Sequence, residues 1–440
     1  MKKLFMCFVL ALGFIFVVST AWAGGGGGPP KNMLKGVFVK VNKDRTADFK
    51  VDGTGEIKHL ILSEHVDLEE IPLERKVLVS LITDEKTHEI TNEVKSVSIM
   101  FMDLTPAKII ALLVVGLIGG LLSGFIGSGG AFVLTPSMMS LGAPGAVAVA
   151  SNMCHKFPKA MVGAYKRWKY GQADIKLGLF MAATAIIGVQ IGIQIQKYIL
   201  NHWGNAGSNL YVSLMFVIVL VVVGIYVFLD AYKLAKGGKE AETTKIAKKL
   251  QSINLPPMIH FKTAGIKISA WFTIPVGVAT GMLAATIAVG GFIGVPGLIY
   301  VIGASAMVAS ATELVIAFCM GMWGSIQWGL SGLIDIRLTL LILAASLIGV
   351  QLGALGTTYV KDYMIKIVMG SVMLIVAVSR GAKIPGYLAD LGLRAPLDPS
   401  TASLLNSISF WALVAALGTA GIIISAAMIR GMLQARQGTN

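Results

Sequence analysis

Charge, cysteine and acidic residues are all scarce in this chain. Only 14% of its 440 residues are charged, against about 25% in ordinary soluble domains, which excludes a typical cytosolic enzyme. Its three cysteines, Cys7, Cys154 and Cys319, all fall in apolar stretches and form no C-x-x-C motif. That excludes a disulfide-stapled secreted fold and a cysteine metal site. The apolar stretches also lack paired carboxylates, a metal-ligand cluster and any nucleophile–base pair. The expectation is a non-enzyme with no cofactor and no metal.

Apolar residues fill the space left. They make up 55% of the sequence, and the mean hydropathy is +0.75. The formal net charge is +14, which in a soluble protein points to nucleic acid. Divided along the chain, it does not. Residues 24–105 carry 11 Lys/Arg and 14 Asp/Glu, whereas residues 106–440 carry 24 and 9. The positive charge belongs to the apolar part, as in a membrane protein with basic cytoplasmic loops, and no nucleic-acid partner is expected.

Residues 1–23 read as a signal peptide or an uncleaved anchor. Lys2 and Lys3 precede an apolar run, and Ala21-Trp22-Ala23 precedes five glycines. Residues 24–105 read as a small extracytoplasmic all-β domain. Its short Val/Ile/Phe-rich runs, 35–42, 46–52, 56–63, 76–83 and 86–100, are separated by turn residues such as Asp52-Gly53. His59, His65 and His88 there lack metal-ligand spacing.

From residue 106 the chain reads as an all-α polytopic membrane protein. A bilayer core of about 30 Å takes roughly 20 helical residues. Nine stretches qualify: 107–126, 144–166, 174–198, 209–232, 268–288, 305–327, 335–357, 363–380 and 404–429. Two more, 130–142 and 292–303, are too short to span and follow glycine-rich breaks. The expected organisation is a first membrane repeat at 106–232, a basic cytoplasmic linker at 233–267 and a second repeat at 268–380. A milder linker at 381–403 and an extra C-terminal helix within 404–440 complete it.

The repeat rests on matches at a shift of 161 residues. Gly116, Gly120 and Leu122 fall on Gly277, Gly281 and Leu283, and Gly129-Gly130 on Gly290-Gly291. Ser151-Asn152 falls on Thr312-Glu313, Asp174 on Asp335, and Gly188-Val189-Gln190 on Gly349-Val350-Gln351. Pro136 and Pro296 are one residue out of step. Each half opens with a hairpin that returns to its starting side and then crosses three times, so the halves are inverted relative to one another. The loops 199–208 and 328–334 hold no Lys or Arg, while the linker 233–267 holds eight Lys. The positive-inside rule therefore places the linker and the C-terminus in the cytoplasm of a bacterial-type inner-membrane protein. Inverted repeats with broken helices are the architecture of secondary transporters.

The candidate substrate site is Gly127, Ser128, Gly129 and Gly130 in the first break, with Gly290 and Gly291 in the second. Glycine permits a tight turn and close backbone approach, and each restarting helix offers free N–H groups and partial positive charge to an anion. Ser151, Asn152, Lys156 and Thr312 are the accompanying side chains. Lys156 and Lys159 either face a cavity or snorkel to the inner interface. Glu313, matching Asn152, either carries a coupling proton or makes a helix–helix hydrogen bond. Asp174 and Asp335 read as helix caps. Gln190 and Gln351 read as helix-packing groups, and Trp168, Tyr170, Trp323 and Trp328 as interfacial aromatics.

These segments carry a family resemblance. G-L-L-S-G-F-I-G-S-G-G-A-F-V-L-T-P at 120–136, L-G-A-P at 141–144, A-V-A-S-N at 148–152 and Y-G-Q-A-D-I-K at 170–176 resemble the TauE/SafE sulfite exporter family, as does V-G-G-F-I-G-V-P at 289–296. The resemblance covers roughly 107–380 and implies transport of a small anion, sulfite or an organosulfonate. Ala131 stands where the family's run has a third glycine. The β domain and the span 404–429 are additions. A second reading is a membrane-anchored assembly or sensor protein whose residues 31–102 bind an extracytoplasmic protein partner.

Overall fold

The computed structural model describes residues 33–437 except 52–53, 65, 67, 69–70, 72, 74–75, 84–89, 100, 127–129, 237–244 and 357–361. The signal segment expected at 1–23 lies outside the described residues. The chain divides into two compact units, one ending at Phe101 and the other beginning at Met102.

The first unit is a closed barrel of β1 (Met33–Val41), β2 (Thr46–Val51), β3 (Ile57–Leu62), β4 (Lys76–Thr83) and β5 (Ile90–Ile99), in the order β1-β2-β3-β5-β4. Alternate residues point inward, as a pleated strand requires: Ala47 and Phe49, Leu60 and Leu62, Val77, Val79 and Leu81 are all buried. Phe38 and Phe49 meet edge to face at 5.0 Å. Burying each stabilises the barrel by roughly 1.5–3 kcal/mol. Arg45, in the left-handed region at φ 64°, donates to the carbonyls of Leu62, Ser63 and Val66 and ties the β1–β2 turn to the end of β3.

The second unit is helical. α1 is Pro106–Ile126, α2 Ala131–Ser140, α3 Gly145–Lys169 and α4 Ile175–Ala235. α4 is broken at Gly204 (φ 61°, ψ −158°) into two arms. α5 (Lys245–Ser252) and the hairpin β6–β7 (Met258–Phe261, Ile266–Ser269) follow. Then come α6 (Ala270–Ile287) and α7 (Gly291–Pro296), which continues as a π-helical turn over Gly297–Ile302. α8 is Ala306–Leu330, α9 Ile336–Gly356, α10 Asp362–Asp390 and α11 Pro399–Gln437. Among the described residues, seven helices are long and apolar enough to cross a membrane, with α4 counted once. α3 is long enough at 25 residues, but its lysines and basic last turn dilute its hydropathy.

Contacts between the halves come in reciprocal pairs. A methyl group on Gly120 would fall 2.4 Å from the Ser346 carbonyl oxygen, and one on Gly281 1.8 Å from that of Ala185. Gly349 stands in the same relation to Leu117 (2.1 Å) as Gly188 does to Val278 (2.0 Å). Thus α1 packs on α9, and α6 on the first arm of α4, through glycine faces that let the backbones touch. The polar contacts are reciprocal too. The Asp335 amide donates to the Ser151 hydroxyl and the Asp174 amide to the Thr312 hydroxyl, both at 3.0 Å. Each aspartate is a cap, as expected: its carboxylate accepts from Leu177 or Arg337 N–H, also at 3.0 Å.

Three expectations change. The pairing of Gly129-Gly130 with Gly290-Gly291 is one residue off, because the helices start after Gly130 and Gly290. The left-handed glycines ending the two segments are Gly142 and Gly303. Twelve positions separate Gly130 from Gly142 and thirteen separate Gly290 from Gly303. The extra residue is absorbed by the π-helical turn, the usual accommodation of a one-residue insertion in a helix. α10 continues through Pro385 to Asp390, ten residues beyond the expected end, since a helix tolerates one missing N–H where neighbours support it. The basic linker, in its described part, is folded. Gln251 of α5 donates to the Ile302 carbonyl at the end of the π turn (2.7 Å), and the hairpin's Ala264 amide donates to the Asp174 carboxylate (3.0 Å).

Candidate functional site

α2 and α7 begin inside the helical unit, and their first turns meet. Phe132 and Phe292, the second residue of each helix, form an edge-to-face pair at 4.8 Å. Gly130 is buried against α1: a methyl there would lie 1.9 Å from the Gly119 carbonyl oxygen, so only glycine permits this approach. The first N–H groups of each short helix have no intrahelical acceptor.

α3 lays a polar face along this junction, because residues three and four apart share a helix face. Asn152 donates to the Ala131 carbonyl (3.1 Å) and the Thr135 hydroxyl (2.8 Å) of α2. His155 bonds Asn152 at 3.2 Å and Ser346 of α9 at 2.7 Å. Asn152 and His155 are fully buried, and Lys156 and Lys159 nearly so. Lys156 therefore does not snorkel to the surface of this unit.

Opposite, α8 supplies Glu313, also buried. Its carboxylate rests over Gly294 of α7, where a methyl group would fall 2.2 Å from Oε2. Lys156 and Glu313 act on one another electrostatically. Yet neither the Lys156 ammonium nor either Glu313 oxygen has a hydrogen-bond partner among the described residues. Two opposite charges held apart in a dry interior are costly, and such groups mark sites where a ligand or proton completes the set.

A cavity of about 360 Å³ runs to this junction. Gly291, Phe292, Val295, Ile299 and Tyr300 are among the residues that line it. Arg167 of α3 and the ion pair Lys366–Asp230 (2.9 Å), which links α10 to the second arm of α4, lie along it. Two cations and a helix N-terminus against one carboxylate suit a small anion.

The sequence motifs that define the junction also match a known family. The family model described as Sulfite exporter TauE/SafE covers residues 112–380. This chain belongs to the TauE/SafE sulfite exporter family. Two similar proteins of Bacillus subtilis (strain 168) carry the names Probable membrane transporter protein YdhB and Probable membrane transporter protein YjnA. The first is 23% identical over 253 residues, 56% of this chain and 89% of its own length. The second is 22% identical over 269 residues, 60% of this chain and 97% of its own length. No solved structure matches significantly. Membership makes the chain a multi-pass membrane transporter with a small substrate, and the matched residues leave out the barrel and α11.

Of the expected site residues, Gly127, Ser128 and Gly129 lie outside the described residues. Gly130, Gly290, Gly291, Asn152, Lys156 and Glu313 cluster around the two short helices. Ser151 and Thr312 sit one residue away, with their hydroxyls on the Asp335 and Asp174 amides. Trp323 and Trp328 face protein and not the outside of the unit: Trp328 is fully buried, and buried Trp323 donates to Gln190 at 3.3 Å. Gln351 is exposed and donates to the Leu347 carbonyl of its own helix at 3.2 Å. Sequence reasoning missed Arg167, Lys366, Asp230 and Gly294. Gly294 breaks the apolar run one turn after the Gly290-Gly291 signal, which is the clue it offered.

Proposed function

We propose that this TauE/SafE protein is a secondary transporter that carries a small anion, sulfite or an organosulfonate, across the inner membrane. The observation that carries the reading is the junction of the two short helices: α7 lends Gly291 and Phe292 to the cavity lining and holds Glu313 over Gly294, and buried Glu313 and Lys156 have no hydrogen-bond partner among the described residues. In this reading the anion enters past Arg167 and Lys366 and is held by the N–H groups at Gly290–Phe292 and the facing start of α2 at Gly130–Phe132, with Gly127, Ser128 and Gly129 as further candidate contacts. Asn152 orients α2, Lys156 adds charge attraction and Glu313 takes the coupling proton. The two halves are inverted repeats, as the reciprocal contacts favour. The β domain lies outside the cytoplasm, and the C-terminus inside.

Sulfite flux into proteoliposomes tests the reading. We expect saturable, anion-selective flux that is lost in Gly290→Leu, since even a methyl there falls 2.8 Å from the Thr280 carbonyl oxygen. Absence of anion-dependent flux, or wild-type flux in the variant, overturns it. One observation favours a partner-binding role for the barrel as well: it is a separate compact unit outside the matched residues. Deleting 31–102 separates the two, because transport by the helical unit survives the deletion and a partner-dependent phenotype does not.

A further inference from the structure

Among the described residues, Arg380 is the buried charge with the most unpartnered donors. It sits on α10 about 16 Å beyond Met369, the last α10 residue lining the cavity, at 1.5 Å per residue. Its side chain is fully buried. One terminal nitrogen, Nη2, donates to the Ser140 hydroxyl at the end of α2 (2.5 Å), and more weakly to Ser409 of α11 (3.4 Å) and Ser379 (3.5 Å). The other donors, Nε and Nη1, have no partner among the described residues. Lys383, one turn on along the same face, adds a second positive charge that acts on Arg380 and donates to Asn406 of α11 at 2.6 Å. Neither cation forms an ion pair with a carboxylate of the described chain; Asp390, further along α10, acts on Tyr387 instead.

A guanidinium does not give up its proton in a protein. Buried without a counter-charge it is strongly destabilising, and burying its N–H groups unpaired adds to that cost. The neutral way out taken by lysine or histidine is closed to it. The unused N–H groups of Nε and Nη1, beside the Ser140 and Ser409 hydroxyls and a Ser379 hydroxyl that donates to the Ser409 carbonyl at 2.7 Å, match the acceptor-rich surface of a tetrahedral or pyramidal oxyanion. We propose that Arg380, Ser140, Ser379 and Ser409 form a second anion site, distinct from the cavity, which takes a small dissolved oxyanion. α11, which lies beyond the matched family residues, supplies one of its walls.

The test uses the full-length protein in nanodiscs of zwitterionic lipid, with sulfate replacing gluconate at constant ionic strength. The expected result is a saturable rise in melting temperature with sulfate. Ser409→Asp places a carboxylate beside the guanidinium; it is expected to raise the melting temperature in sulfate-free buffer and to abolish the sulfate response. Gly290→Leu, aimed at the cavity, keeps the sulfate response, so failure of the transport reading and failure of this one are distinguishable. Arg380→Gln is expected to lose the response; if it does not fold, Ser409→Asp alone decides. No sulfate-dependent rise in the wild type, or an unchanged response in Ser409→Asp, overturns the proposal. So does stabilisation that follows added phosphatidylglycerol instead of sulfate.

Discussion

Replacing Gly281 by alanine sets two opposed effects against each other, and the structure decides the sign. In an exposed helix, Gly→Ala stabilises by about 0.8–1 kcal/mol through backbone entropy. At Gly281 the added methyl carbon would lie 1.8 Å from the Ala185 carbonyl oxygen, where an ordinary C···O contact is about 3.3 Å. The obstacle is backbone, so no side-chain rotation relieves it; α6 and α4 must separate by about 1.5 Å. Overpacking of this kind costs typically 1–3 kcal/mol and occasionally more. Separation also loosens the contacts at Gly277 and Gly192, which share the same seam. The expected net change is a loss of about 1–2 kcal/mol, seen as a lower melting temperature of the detergent-purified protein by fluorescence-detected size exclusion. The control is Gly421→Ala on α11, where nothing lies within 4 Å of the new methyl and only the propensity gain remains. The two variants should therefore shift in opposite directions. If Gly281→Ala is as stable as Gly421→Ala, glycine contact does not hold α6 on α4.

Gly294→Ala should leave the protein folded while lowering transport, because its methyl displaces the flexible end of Glu313 rather than backbone; proteoliposome flux with an unchanged melting temperature is the readout. Lys156→Met and Glu313→Gln should each destabilise more than the double variant, with a coupling of about 0.5–3 kcal/mol in a double-mutant cycle; additive effects would show that the two charges do not sense each other. Asp398 caps α11, accepting the Thr401 amide at 3.0 Å and the Ser400 hydroxyl. These bonds hold its carboxyl well below the usual range. Its folded-state pKa is lowered, so the cap is fully present above about pH 4, the unperturbed value, and is lost as the pH falls through the folded value. Hydrogen exchange at Thr401–Leu405 should accelerate on that acid limb and lose its pH step in Asp398→Asn.

The membrane architecture was legible because its determinants are local. Twenty apolar residues in a row, a glycine break or an aspartate before a helix each act within a few positions. The reciprocal glycine contacts were legible because Gly188 and Gly349 solve the same packing problem. The one-residue slip at Gly290 was not, because identical Gly-Gly pairs align equally well in either register and only the π turn at Gly297–Ile302 reveals which glycine starts the helix. The cavity wall was hidden for a different reason: Arg167, Asp230 and Lys366 are far apart in sequence and meet only through the packing of α3, α4 and α10. Arg380 stood at the very end of an expected span, where an arginine ordinarily reaches headgroups. Its burial follows from α10 running on to Asp390 beneath α11.

The reciprocal caps have a consequence for synthesis. The ribosome finishes the first half, with its Asp174 amide and the groove at Gly188 and Gly192, long before Thr312 and Val278 exist to fill them. Until then that half waits in the bilayer with a helix start unsealed and a glycine face covered only by lipid or by the insertion machinery. A chain cut between the halves would leave two pieces, each lacking what the other supplies. They should be recovered together or not at all.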